Sequence, residues 1–123
     1  MLNQAKAVAT VPAEDLERAT KFYTEVLGFK AEKMEGAVTF DAGQGSQIFM
    51  YQRERTKAEH TSITFMAEDL EATVDQLTER GVKFEQYDMD DFKTNAKGIA
   101  TFGDTRLAWL TDTEGNILAI SST

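Results

Sequence analysis

Cysteine is absent from this chain, which excludes disulfides, thiolate metal sites and a cysteine nucleophile. A reducing cytoplasm is the location that agrees with that absence. Histidine occurs once, at His60, so a paired-histidine zinc motif is also missing. Basic residues are the minority, 13 against 21 acidic, for a net charge of -8. That balance argues against nucleic acid, since phosphate binding needs clustered Lys and Arg. It favours cationic ligands by long-range attraction. No apolar run approaches the length of a membrane span, so no membrane association is expected. Residues 1–6 are polar, which predicts no signal peptide. A nucleophile elbow, a phosphate-binding glycine loop and a dinucleotide fingerprint are all lacking, and Gly43-Gln44-Gly45 reads as a hairpin turn.

What remains is 123 residues with 41% apolar and 28% charged side chains, the balance of one globular domain over 1–123. An internal repeat organises it. Ala13-Glu14-Asp15-Leu16-Glu17 recurs unchanged as Ala67-Glu68-Asp69-Leu70-Glu71, 54 residues later. A strand-like run precedes each copy, 7–11 and 61–66, both rich in β-branched or aromatic residues. An amphipathic helix follows each, near 15–27 and 69–80, with Asp15 and Asp69 as N-caps. Leu16, Ala19, Phe22, Val26 and Leu27 fall on one face of the first, and Leu70, Val74 and Leu77 on one face of the second. Gly28 and Gly81 are placed to end them.

Strands are expected at 30–34, 37–41 and 47–52 in the first half, and at 82–87, 106–111 and 116–121 in the second. Residues 53–59 read as a charged linker. Residues 88–98 have no clear period and read as a loop, carrying Met89, Asp90, Asp91, Phe92 and Lys93, that is a lid, a dimer contact or a solvated connector. The fold class is therefore α+β. Two tandem βαβββ modules, about 5–53 and 60–123, form a curved mixed sheet around a cup. A concave surface of that kind suits a small ligand.

Two stretches carry a family resemblance. Asp15-Leu16-Glu17-Arg18-Ala19 with Phe22-Tyr23 and Val26-Leu27-Gly28-Phe29 is one. Ala108-Trp109-Leu110-Thr111-Asp112 with Glu114-Gly115-Asn116-Ile117-Leu118 is the other. Together they resemble the first helix and last hairpin of the vicinal oxygen chelate superfamily, which includes glyoxalase I, extradiol dioxygenases, fosfomycin resistance enzymes and bleomycin resistance proteins. Thr113 departs from that pattern, which usually has proline there. The resemblance implies four pseudo-symmetric ligand positions for a divalent metal, and they fall on Val8, Phe49, Ser62 and Ala119. Val, Phe and Ala offer no donor, and a lone serine hydroxyl is a poor one, so no metal and no other cofactor is expected.

Strand parity read outward from those positions gives the wall of the cup. In the first half it comprises Val8, Thr10, Phe49 and Tyr51, with Gln47. In the second it comprises Ser62, Thr64, Met66 and Ala119, with Ile117 and Ser121. Trp109 faces the cup if Leu110 packs under the helix, and His60 shares the parity of Ser62 near the rim. Aromatic walls and net acidity point to an aromatic or cationic small molecule. The favoured function is thus a metal-free small-molecule binding protein, similar to the drug-sequestering members of the superfamily. The alternative is a glyoxalase-like lyase or dioxygenase-like enzyme using a divalent metal or an acid–base pair. Each module has one helix for four strands, and a homodimer that covers the other face is expected.

Overall fold

A computed structural model describes all residues, Met1–Thr123. The chain divides into two compact units, Met1–Thr56 and Lys57–Thr123. No helix is long and apolar enough to cross a membrane.

In the first unit β1 (Ala9–Ala13) leads into α1 (Leu16–Lys21), which continues as a π-helical turn over Phe22–Val26. Strands β2 (Lys30–Met34), β3 (Ala37–Gly43) and β4 (Ser46–Gln52) follow. The sheet order is β1-β4-β3-β2, with β1 parallel to β4 and the other pairs antiparallel. The helix starts where expected, because the Asp15 carboxylate accepts from the Arg18 N–H at 3.0 Å. Its stripe differs from the expectation at one position. Tyr23, seven residues on from Leu16 and four from Ala19, is the fully buried aromatic, stacked on Phe40 at 4.9 Å, and Phe22 is only half-buried. After it the helix widens, where Leu27 N–H donates to Phe22 O, five residues back. Val11, Ile48 and Met50 complete that apolar layer. The first strand also differs. Pairing to β4 begins only at Ala9↔Ile48, so Val8 lies outside the strand and is 40% exposed.

The second unit repeats the plan. It contains β5 (Thr61–Ala67), α2 (Leu70–Glu79), a small hairpin of β6 (Asp88–Met89) and β7 (Phe92–Lys93), then β8 (Ile99–Phe102), β9 (Thr105–Thr111) and β10 (Ile117–Ser122). The main sheet is ordered β5-β10-β9-β8, with β5 parallel to β10. Asp69 caps α2 by accepting from Ala72 N–H at 3.1 Å. Leu70, Val74 and Leu77 are buried, as are Ile63, Ala108, Leu110, Leu118 and Ile120 of the sheet. Each leucine, isoleucine or valine among them contributes about 1.5–3 kcal/mol when fully buried.

Two expectations are corrected in this unit. Residues 82–87 do not form a strand. Val82 and Phe84 are buried alternately as a strand would have them, but only Glu85 N–H reaches β9, at Trp109 O, 2.9 Å. The edge strand is instead β8, beyond the stretch read as a loop. The path beside β9 is cut at residue 86 and resumes at Ile99. The chain between makes an excursion that is closed at its base by Thr94. Its hydroxyl accepts from Tyr87 N–H at 2.9 Å, and its own N–H donates to Tyr87 O at 2.9 Å. Asn95 then turns the chain back, its side-chain amide oxygen accepting from Lys97 and Ile99 N–H at 2.9 and 3.0 Å.

Candidate functional site

Register decides which side chains of the second sheet share its open face. Trp109 sits opposite Ala119, and Ala119 opposite Thr64. All three point away from the layer of Leu110 and Leu118, which are buried under α2. Trp109 is thereby left with a bare ring on the open side, and the excursion supplies neighbours for it. Tyr87 meets Trp109 edge-on at 5.7 Å and 87°. Phe92 tilts against Trp109 at 5.2 Å, against Phe102 at 5.3 Å, and meets Tyr87 edge-on at 5.0 Å. Edge-on and tilted pairs at these spacings are the favourable arrangements of aromatic quadrupoles.

Beside this cluster is a hollow of about 240 Å³. Trp109, Tyr87, Phe92, Met89 and Ile117 form its walls, and Glu59, His60 and Thr61 complete the lining. A hollow of roughly 150 Å³ holds benzene, so one aromatic ring with a small substituent fits this one. Neither Lys nor Arg lines it, and Glu59 supplies the one carboxylate. Burial, and secondly the negative charge of Glu85, raises the Tyr87 phenol above its ordinary value. Tyr87 is thus a neutral hydroxyl at physiological pH, able to donate. A second hollow of about 500 Å³ runs along the same excursion, with Asp90, Asp91, Lys93 and Thr94 in its lining, and shares Phe92 with the first. In the first unit a smaller one of about 210 Å³ lies where Leu16 and Thr20 of α1 meet Met34 and Ala37.

Of the residues the sequence placed around a cup, His60, Trp109 and Ile117 come together in the 240 Å³ hollow. Ser62, Thr64, Met66 and Ala119 lie on the second sheet outside its lining. Ala119 is buried, whereas Met66 is 64% exposed. Thr10, Phe49 and Tyr51 belong to the first unit, where Thr10 pairs with Phe49 and Pro12 with Tyr51 on the open face. Sequence reasoning did not assign Tyr87, Met89 and Phe92 to the wall. The available signal was three aromatic residues, Tyr87, Phe92 and Phe102, in a stretch whose other residues are mostly charged or polar.

The metal positions implied by the resemblance do not fit a divalent ion. Phe49 in the first unit faces Thr10, and Ala119 in the second faces Thr64, with Ser62 next along. No group of three or more His, Asp or Glu side chains stands together in a way that could hold a metal ion.

Comparison with known proteins agrees with this architecture. A sequence model of the Glyoxalase/Bleomycin resistance protein/Dioxygenase superfamily matches residues 6–120. No curated protein matches the sequence. Among solved structures, a putative glyoxalase family protein from Bacillus anthracis superposes with a TM-score of 0.72 at 16% identity, covering 100% of this chain and 99% of that one. TnmS3, an antibiotic binding protein from Streptomyces sp. CB03234, gives 0.69 at 20% identity, with 95% of each chain covered. The fosfomycin resistance protein FosX from Mesorhizobium loti gives 0.69 at 13% identity, covering 98% of this chain and 92% of that one. At these identities the likeness is one of fold.

Proposed function

We propose, since this chain belongs to the Glyoxalase/Bleomycin resistance protein/Dioxygenase superfamily, that it is a metal-free binding protein for a small aromatic cation, held in the hollow beside Trp109. The observation that carries this reading is the wall itself. Trp109, Tyr87 and Phe92 present ring faces and edges, Glu59 stands in the lining, and no basic side chain opposes a positive charge. A cation over an indole face gains electrostatically from the ring quadrupole. The net charge of -8 adds long-range attraction of the same sign. Binding of an antibiotic by TnmS3, a protein of the same fold, supports the small-molecule class. The lack of donors at Phe49 and Ala119 supports a site without metal, and the lack of cysteine suits the cytoplasm.

Trp109 is the one tryptophan of the chain, so its emission reports on the hollow directly. Titration with N-methylpyridinium should quench it saturably, and Trp109→Phe should weaken binding measured by calorimetry about tenfold. Calorimetry that detects no heat for N-methylpyridinium or its larger homologues at millimolar concentration would remove the reading.

A second copy of the chain is proposed to cover apolar surface left open on each unit. Phe49 and Tyr51 stay half-buried and Met66 is exposed. Sedimentation equilibrium should return twice 13.7 kDa. A monomer mass at micromolar concentration would refute the dimer.

A further inference from the structure

The hollow beside Trp109 and the larger one along the excursion have a single lining residue in common, Phe92. Its ring packs against three others, those of Trp109, Tyr87 and Phe102. We infer that Phe92 is a specificity-determining partition, whose ring limits the first hollow to a one-ring ligand and whose displacement joins the two hollows for a polycyclic aromatic cation. This inference rests on the ligand reading above and adds the size class that the site accepts.

Three observations support a partition that can move. Phe92 sits on a strand of two residues, β7, paired only with the equally short β6. Its side chain is half-buried rather than locked in the core. Its partners are flat rings, so a ligand ring that stacks on Trp109 restores the contact the departing phenyl gives up. The space gained is larger than the space it guards, about 500 Å³ beside about 240 Å³. Asp90 and Asp91 outnumber Lys93 in the lining of the larger hollow, so a ligand that extends into it meets a net negative charge there too. The base of the excursion is held by Thr94, which keeps the ring's backbone in place while the ring itself turns.

The test compares N-methylpyridinium, N-methylquinolinium and N-methylacridinium, with one, two and three rings, by calorimetry on the full chain. Phe92→Ala should raise affinity for N-methylacridinium about tenfold, while N-methylpyridinium changes less than about threefold. Phe92→Trp should shift the preference the other way. Gln86 ties the base of the excursion from outside both linings, its side-chain amide donating to Ala96 O at 3.3 Å and accepting from the Thr94 hydroxyl at 3.2 Å, so Gln86→Ala loosens the base without touching the partition and should leave the size preference as in the wild type. If Gln86→Ala reproduces the Phe92→Ala profile, selectivity comes from a loose hairpin and the partition is overturned. An unchanged size preference in both Phe92 variants, with N-methylpyridinium still bound by the wild type, overturns the partition and leaves the ligand reading standing. Failure of every probe on every variant removes the ligand reading and the partition with it.

Discussion

Beside β3 in the first unit runs an unbroken edge strand, Lys30–Met34, paired residue for residue from Lys30↔Asp41 to Met34↔Ala37. Beside β9 in the second unit the same path touches at Glu85, leaves the sheet, and returns as Ile99–Phe102. The two units otherwise share strand order, parallel pairing of first and last strands, and aspartate caps on their helices. The shared plan therefore builds the sheet and its apolar layer, and the departure from it builds the site. All of β2 is exposed, and three of its five residues are charged, which discourages further strand pairing. The excursion in the second unit instead spends its length on Tyr87, Met89 and Phe92, which wall a hollow. A repeated fold can thus hold one half plain and let the other diverge where an edge strand tolerates interruption.

The turns before the last strands give the comparison its largest test. In the second unit Asp112 is buried, and one carboxylate oxygen accepts from Glu114 N–H at 2.8 Å and Asn116 N–H at 2.9 Å. The other accepts from the Asn116 side chain at 2.9 Å. In the first unit the matching turn is exposed, and Ser46 hydroxyl donating to Gly43 O at 2.6 Å is its side-chain tie. Asp112→Ala strands buried donors and should cost about 3 kcal/mol in urea unfolding, whereas Ser46→Ala should cost about 0.5 kcal/mol. Equal losses would mean that the two turns are held alike, contrary to their burial.

The edge itself gives the next test. Gly98 has φ +89°, and a Cβ there would stand 2.7 Å from the Cβ of Phe84, so both backbone strain and a clash oppose substitution. Gly36, in the tight turn of the plain edge, has φ +73° and open space around it. Gly98→Ala should therefore cost about 2–3 kcal/mol and Gly36→Ala about 1 kcal/mol. Should Gly98→Ala prove the milder of the two, Gly98 does not lie against Phe84 at the end of the excursion.

These features were unequally legible in the sequence. The pentapeptide repeat was enough to find both caps, both helices and the strand before each, because a cap, a stripe and a glycine stop are local signals. Parity then put Leu118 and Ile120 under the helix and Trp109 on the other face. The choice of Tyr23 over Phe22 was not legible, since both are aromatic and both fall near the apolar stripe, and the π turn after them was not legible because no side-chain spacing marks a bond from Leu27 N–H to Phe22 O. Residues 82–87 alternate as a strand does, yet Thr94 draws Tyr87 away from the ladder. That choice is made by a side chain seven residues distant. His60, Trp109 and Ile117 were placed at the hollow's side of the sheet from parity. Tyr87, Met89 and Phe92 were not, because their contacts depend on how an aperiodic stretch folds back.

The smallest expected effect belongs to a side chain that exists at the site only because the edge is cut. Tyr87 is raised above 10.0 mainly by burial and secondarily by Glu85. The folded chain therefore holds its phenolic proton to a higher pH than the unfolded chain does. Below about pH 10 both states keep the proton, and the fold has its full stability. Above that value the unfolded chain ionises first, so stability falls as pH rises, until the folded phenol ionises too and the loss is complete. Tyr87→Phe should be flatter than the wild type across this alkaline window and indistinguishable in slope below it. The same residue can be followed directly, since the phenolate absorbance of the wild type minus that of Tyr87→Phe isolates Tyr87 from the other tyrosines. Its midpoint should lie above 10.0. Glu85→Gln should lower that midpoint only in part, because burial is the larger cause and remains. A midpoint at the ordinary tyrosine value would show that the excursion leaves Tyr87 open to water, and with it the wall that distinguishes the second unit from the first.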